Sequence, residues 1–202
     1  MRSLAVPAPP ACLTSLASTR PNGPWFDGSD PAEEACRRTT RQLLLGNQSD
    51  TCGWCEAKIT INSSHAEHIQ PKSDSTFAHL TFAISNLIAC CGRSTSPTCG
   101  HHKDNLVLAE WVHPYHTARL EEKFVYEIDG KVTSATRLDA TVRKEAFDAI
   151  NTILNLNESV LMSKRESLID EILNTETYKD LTADEIFAVV EEFRSVIQQY
   201  AI

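Results

Sequence analysis

"CGWCEAKITINSSHAEHIQPKS", residues 52–73, opens on two cysteines with two residues between them and closes on two histidines around a glutamate. Cys52 and Cys55 form half of a metal knuckle: two thiolates at this spacing grip one tetrahedral ion while Gly53 lets the chain turn. The other half lies downstream, where Cys90 or Cys91 and then Cys99 bracket the polar insert "GRSTSPT". Four cysteines leave no open coordination position, so the expected ion is a structural Zn²⁺ that staples a loop-rich segment.

Five of the seven cysteines fall between residues 52 and 99. An odd, clustered set suits thiolate ligation in a reducing compartment better than a disulfide framework. Cys12 and Cys36, outside the cluster, read as small buried residues. The chain has 202 residues, 42% hydrophobic and 23% charged, an ordinary globular composition. No apolar run reaches the ~18 residues of a membrane span. Arg2 followed by Pro7, Pro9 and Pro10 makes a poor signal peptide, so a cytoplasmic location is expected. The net charge of −8 is unlike the basic surface of a free-standing nucleic-acid binder. Contact with nucleic acid would need a local basic patch, for which Lys58, Lys72, Arg93 and Lys103 are available, or a partner's surface.

Residues 1–30 read as an irregular arm, with one turn of helix near Leu13 to Ala17 and Trp25 and Phe26 as anchors. "SDPAEEACRRTTRQLLLGNQ" reads as a helix capped by Asp30, with Pro31 at its first position, Glu33 and Glu34 in its first turn and Gly46 as a stop. "AKITIN" alternates like a strand, and "HAEHIQ" is expected to return beside it. "CGHHKDN" should begin a short helix. "EKFVYEIDGKVTSAT" predicts a hairpin turning at Asp129-Gly130. Three helical patterns follow: "ATVRKEAFDAINTILNL", "SVLMSKRESLIDEILN" and "ADEIFAVVEEFRSVIQQY", the last capped by Thr182 or Asp180. The expected organisation is the arm (1–30), a domain carrying the knuckle and histidine loop (31–136), and a helical region (137–202), α+β in class.

A closed cysteine site leaves the chemistry to a second centre. Glu67 is a hard donor suited to Mg²⁺ or Mn²⁺, and His68 titrates where it can take a proton from water. His65 could join them; its plainer reading is a solvated imidazole beside the site. His113 and His116 flank Pro114 and read as structural. Trp54 reads as packing, and Lys72 could meet a phosphate.

Together "EHIQPKS", "SNLIACC" and "CGHHKDN" resemble the HNH endonucleases, the ββα-metal nucleases. That resemblance implies Glu67 as a metal ligand, His68 as general base, Asn86 as the residue holding the loop that orients the base, and Cys91 over Cys90 as zinc ligand. His101, His102, Asp104 and Asn105 are the choices for a ligand from the helix, His101 foremost. Lys72 and Lys103 would face nucleic acid. The family's usual acid is Asp, where Glu67 stands, and its usual His or Asn after the last cysteine is Gly100 here. The order of "MRSLAVPAPPACL", "LLLGNQSDTCGWCE", "EHIQPKS", "TFAISNLIACC", "FVYEIDGKV" and "AINTILNLN" is similar to the PtuB-like, retron-associated HNH nucleases. This implies a ββα-metal core with a four-cysteine zinc site, a β-hairpin and appended helices. It also implies a bacterial anti-phage role of the Septu type beside a PtuA-like ATPase, at times with a retron reverse transcriptase and its DNA product, with DNA, or alternatively RNA such as tRNA, as substrate. A competing reading is a zinc-stapled interaction module without activity.

Overall fold

The histidine strand finds its partner further along the chain than the alternation of "AKITIN" predicts. In the computed structural model, which describes residues 1–26, 30–92 and 96–201, β1 (Ser64–His68) pairs antiparallel with β2 (Leu87–Cys91). The register sets Ser64 opposite Cys91 and His68 opposite Leu87. Residues 57–59 instead fold back onto the knuckle. Cys52 N donates to Ala57 O (2.9 Å) and Ile59 N to Asp50 O (2.8 Å). Ser63 Oγ then accepts from Thr60 N (2.9 Å), closing a turn before β1. Local side-chain hydrogen bonding by Ser and Thr has displaced the strand that the alternation suggested.

Helix α2 (Pro31–Asn47) begins as expected, with the Asp30 side chain accepting from Ala32 N and Pro31 in the first turn. It runs one residue past Gly46 and ends beside the β pair. There the buried Gln48 side chain serves Ala89 as a strand edge would: its Oε1 accepts from Ala89 N (2.7 Å) and its Nε2 donates to Ala89 O (2.8 Å).

The arm is more regular than expected. A nine-residue helix, α1 (Ala11–Thr19), packs on α2, and Met1 and Leu13 are buried. The pairing of α1 with α2 brings the Cα atoms of Cys12 and Cys36 to 5.8 Å, and the two are disulfide-bonded. This corrects their reading as ordinary buried thiols: helix packing, which their separation of 24 residues does not reveal, makes them neighbours.

After β2 comes the five-residue helix α3 (Cys99–Lys103). The hairpin forms as predicted from β3 (Phe124–Tyr126) and β4 (Val132–Ser134). Gly130 has φ +76°, and a Cβ there would stand 2.0 Å from Met162 O, so only glycine fits between the turn and the helix behind it. That helix, α5 (Ser159–Asn174), matches the predicted span. Its buried Arg165 donates from Nε to Gly130 O (2.7 Å) and from Nη2 to Leu156 O (2.6 Å).

Helix α4 (Ala140–Phe147) continues as a π-helical stretch over Asp148–Ile153. The last predicted helix is broken in two: α6 (Ala183–Val190), started by a capping box between Thr182 and Glu185, and α7 (Arg194–Tyr200). Between them Glu191 and Phe193 are left-handed (φ 58° and 53°). The break lets Phe193 N donate to Glu56 O (2.8 Å), inside the knuckle loop, and lets Glu192 accept from Lys58 N (3.1 Å). Tertiary contacts override the helical periodicity here.

The C-terminal helices are therefore built into the knuckle. Glu56 is buried next to Cys55, accepts from Ser195 N (2.8 Å) and Oγ (2.5 Å), and pairs with the Met1 ammonium (2.7 Å). Burial pushes this carboxyl's pKa up, but the ammonium and Ser195 outweigh it and hold the group below the usual range. Phe193, Val196, Ile197, Leu168 and Ile169 belong to the same buried cluster as Trp54, Leu87 and Ile88. Much of the apolar periodicity after residue 157 is thus spent on this core, and removing residues 157–202 would strip Glu56 of its partner Ser195.

His113 supplies a pH-dependent element. It is buried, stacks on His116 (ring centroids 3.8 Å apart, 4° between planes), and its Nδ1 accepts from Tyr115 N (3.3 Å). Burial first, and the neighbouring His116 second, push its pKa down from 6.5 to about 4. The unfolded chain then binds the proton that the folded chain refuses, so folding stability is lost as pH falls through the window from 6.5 to 4. Urea titrations should show stability falling by ~1–3 kcal/mol across that window. In His113→Gln the slope should be shallower; an unchanged slope would exclude His113 as its source.

Candidate metal and nucleic-acid site

Four sulfurs converge where the knuckle loop meets the end of β2 and the start of α3. The Sγ atoms of Cys52, Cys55, Cys91 and Cys99 all lie within 4.8 Å of one another. Cys55 and Cys91 are 3.6 Å apart, against the roughly 3.8 Å that a tetrahedron with ~2.3 Å Zn–S bonds requires. All but Cys91 are buried. The donor set and spacing fit one tetrahedral soft ion. The neighbouring Cys90 is outside this foursome. Its sulfur lies 3.7 Å from Cys52 Sγ and accepts from Gly100 N (3.1 Å), so it ties β2 to α3.

Beside this cluster Glu67, His68, Lys72, His101, Lys103 and Asn105 line a cavity of about 130 Å³. Strand β1 delivers the first two as adjacent residues at its end. His68 is buried, and its Nε2 lies 2.9 Å from Thr81 O. A carbonyl only accepts, so Nε2 carries the proton and Nδ1 keeps a lone pair. Trp25 meets the His68 ring edge-on, with centroids 4.6 Å apart, and stacks on Phe82 at 5.7 Å. Of the two residues read as anchors of the arm, Trp25 seats it against this histidine, and Phe26 packs on Trp25 and Phe82. Burial pushes the His68 pKa down to about 4, against the opposing pull of the Thr81 carbonyl. The imidazole is neutral at pH 7.

Asn86 stands just outside the cavity and is buried. Its Oδ1 accepts from Gln70 N (2.8 Å), its Nδ2 donates to Gln70 O (3.1 Å), and its own carbonyl accepts from Ile69 N (2.9 Å). These bonds pin the segment that leaves His68.

Glu67 is partly buried and ion-paired. Lys103, with no exposed surface, places Nζ 3.1 Å from Glu67 Oε1 and 3.3 Å from Asp104 O. Lys72 is exposed at the cavity rim, whereas the Lys103 ammonium is committed inside. Lys58 pairs with Glu191, and Arg93 lies outside the described residues. Of the four side chains considered for the helix ligand, His101, Asp104 and Asn105 line the cavity. Asn105 Oδ1 accepts from Ser73 Oγ (2.6 Å), and His102 turns instead to Thr152 O (3.2 Å). His101 packs on His65 with ring centroids 4.1 Å apart; burial first, then the neighbouring His65, lowers its pKa.

Over 147 residues the chain is 29% identical to the "Retron Vc95 putative HNH endonuclease" of Vibrio cholerae serotype O1 biovar El Tor, covering 69% of this chain and 68% of that protein. The chain is thereby similar to a protein named for the HNH endonucleases. No family model matches it.

Two contacts of this site escape sequence reasoning. The Thr81 carbonyl is a backbone group 13 residues from His68 and carries no residue-type signal. The Lys103–Glu67 pair joins residues 36 apart, and a lysine after two histidines looks like a surface charge until α3 turns it inward. Among the described residues, no helix is long and apolar enough to cross a membrane.

Proposed function

We propose that the protein is a metal-dependent HNH endonuclease that hydrolyses phosphodiester bonds, DNA foremost, inside the bacterial cell. The observation that carries this reading is the shared cavity. A carboxylate, a neutral histidine whose tautomer is set by a carbonyl, and an exposed lysine line one pocket beside a four-sulfur cluster. Zn²⁺ on Cys52, Cys55, Cys91 and Cys99 would hold the knuckle, β2 and α3 together. Glu67, with His101 or another wall side chain, would hold Mg²⁺ or Mn²⁺, which when bound supplies charge stabilisation at the scissile phosphate. His68 takes the proton from the attacking water at its free nitrogen. Asn86 keeps the segment after His68 in place, and Lys72 meets a phosphate at the rim.

The net charge of −8 disfavours tight binding by the isolated chain at physiological salt, because affinity there comes mainly from neutralised phosphates. The retron context in the relative's name and the similarity to PtuB-like nucleases support an effector role in anti-phage defence. A PtuA-like ATPase would supply the nucleic-acid surface, and a retron reverse transcriptase with its DNA product could act in the same system.

One observation favours the reading of an inactive zinc-stapled module: Lys103 already neutralises Glu67. The purified chain, with and without the ATPase, should be assayed on DNA and RNA in Mg²⁺ and in Mn²⁺. Divalent-dependent cleavage of DNA, stronger with the ATPase, is expected. Cleavage of RNA alone would move the substrate to RNA. No cleavage under any condition would leave the interaction module.

A further inference from the structure

We propose that His65 is itself a ligand of the divalent ion, through Nε2 and beside Glu67 Oε2, and that residue 100 is glycine because the His65 imidazole fills the space a side chain there would need. This rests on the reading above that Glu67 binds a divalent ion. His65 and Glu67 are two apart on β1 and therefore share a face. Nε2 of His65 lies 3.4 Å from Oε2 of Glu67, yet makes no hydrogen bond to it or to any other atom, and Nδ1 is also buried without a partner. An imidazole at that distance from a carboxylate and bonded to nothing is better explained by an ion between them than by a missed hydrogen bond. Two ligands about 2.1 Å from one octahedral ion and at right angles stand roughly 3 Å apart, close to the separation seen.

The opposite wall agrees. A Cβ on Gly100 would stand 2.8 Å from both His65 Nε2 and Glu67 Oε2, so α3 brings bare backbone against the two donor atoms. The Gly100 N–H is occupied by Cys90 Sγ, which fixes that approach. His101 packs its ring on His65 and limits its movement. Lys103 takes the other carboxylate oxygen and leaves Oε2 for the ion. With His65 in place of a ligand from α3, the protein gives two ligands and the remaining positions fall to water and to a phosphate oxygen of the substrate, the usual arrangement for Mg²⁺ and Mn²⁺.

The test uses the full-length, zinc-loaded chain titrated with Mn²⁺ and followed by calorimetry and by pulsed electron paramagnetic resonance, which reports nitrogen bound to Mn²⁺. Wild type should show nitrogen coupling that persists in His101→Ala and disappears in His65→Ala. His65→Ala should also lose at least about tenfold in Mn²⁺ affinity. His65→Ala combined with Gly100→His, which returns an imidazole to the vacated space from α3, should recover affinity; Gly100→His alone should not be accommodated. Absence of nitrogen coupling in the wild type overturns the proposal even if the variants fold poorly. If Glu67→Gln loses Mn²⁺ while His65→Ala keeps both affinity and coupling, His65 is excluded and the nuclease reading stands. If Glu67→Gln binds like wild type, the ion site itself is misplaced and both fall.

Discussion

His68→Ala should lower cleavage by ~10²–10⁴-fold, the usual cost of losing a general base, while zinc content and Mn²⁺ binding stay at wild-type levels. The expectation follows from two properties of this ring. Its Nε2 proton is given to Thr81 O, so only Nδ1 can accept a proton from water. Burial keeps the ring neutral at pH 7, so the base is in its working form without a prior deprotonation. Because His68 packs edge-on against Trp25, alanine also removes packing and could weaken the arm. His68→Gln separates the two effects: its amide nitrogen reaches the position of Nε2 and can still donate towards Thr81 O, but it is not basic. Both variants should be inactive, with His68→Gln melting closer to wild type. Cleavage within about threefold of wild type by a folded His68→Gln protein, far short of the loss expected for a missing base, would rule out His68 in that role.

The parts of this site that are legible in the sequence are those fixed by short-range chemistry. Cys52-x2-Cys55 and the pairing of Glu67 with His68 are local, and the structure brings both into one region. Asp30 before Pro31 and Asp129-Gly130 are equally local signals, and they place a helix start and a turn correctly. What stays hidden depends on distant partners. The mate of β1 is β2, which begins only at Leu87, because residues 57–59 are drawn back to Asp50 and Cys52. The last helix looks continuous, but Phe193 is worth more against the Glu56 carbonyl than in a helical turn. Cys12 and Cys36 resemble spare thiols until α1 packs on α2. The family pattern points to α3 for a further ligand, and nothing in the sequence marks the two buried, unpartnered ring nitrogens of His65 on β1.

The purified protein should carry about one Zn²⁺ per chain, and Cys52→Ser or Cys99→Ser should unfold or aggregate it. The four cysteines come from three segments, the knuckle loop, the end of β2 and the start of α3, and an ion would join all three at one point. Without the ion, their thiolates would either repel one another in a buried space or take up protons, and the segments would separate. Structural zinc contributes folding free energy directly, apparent values being ~10–16 kcal/mol in isolated fingers. The loss should be smaller here, because Trp54 and Ile88 are buried in the surrounding core. It should still come close to the ~5–15 kcal/mol total stability of a typical domain. Cys90→Ser is the discriminating control. Its sulfur accepts the Gly100 N–H and is outside the four-sulfur group, and a serine hydroxyl can accept the same bond. That variant should keep its zinc and melt within a few degrees of wild type. Elemental analysis and chelator-dependent melting decide the matter. A folded, soluble wild type without zinc would sink the assignment, and loss of zinc in Cys90→Ser with retention in Cys91→Ser would exchange the two ligands.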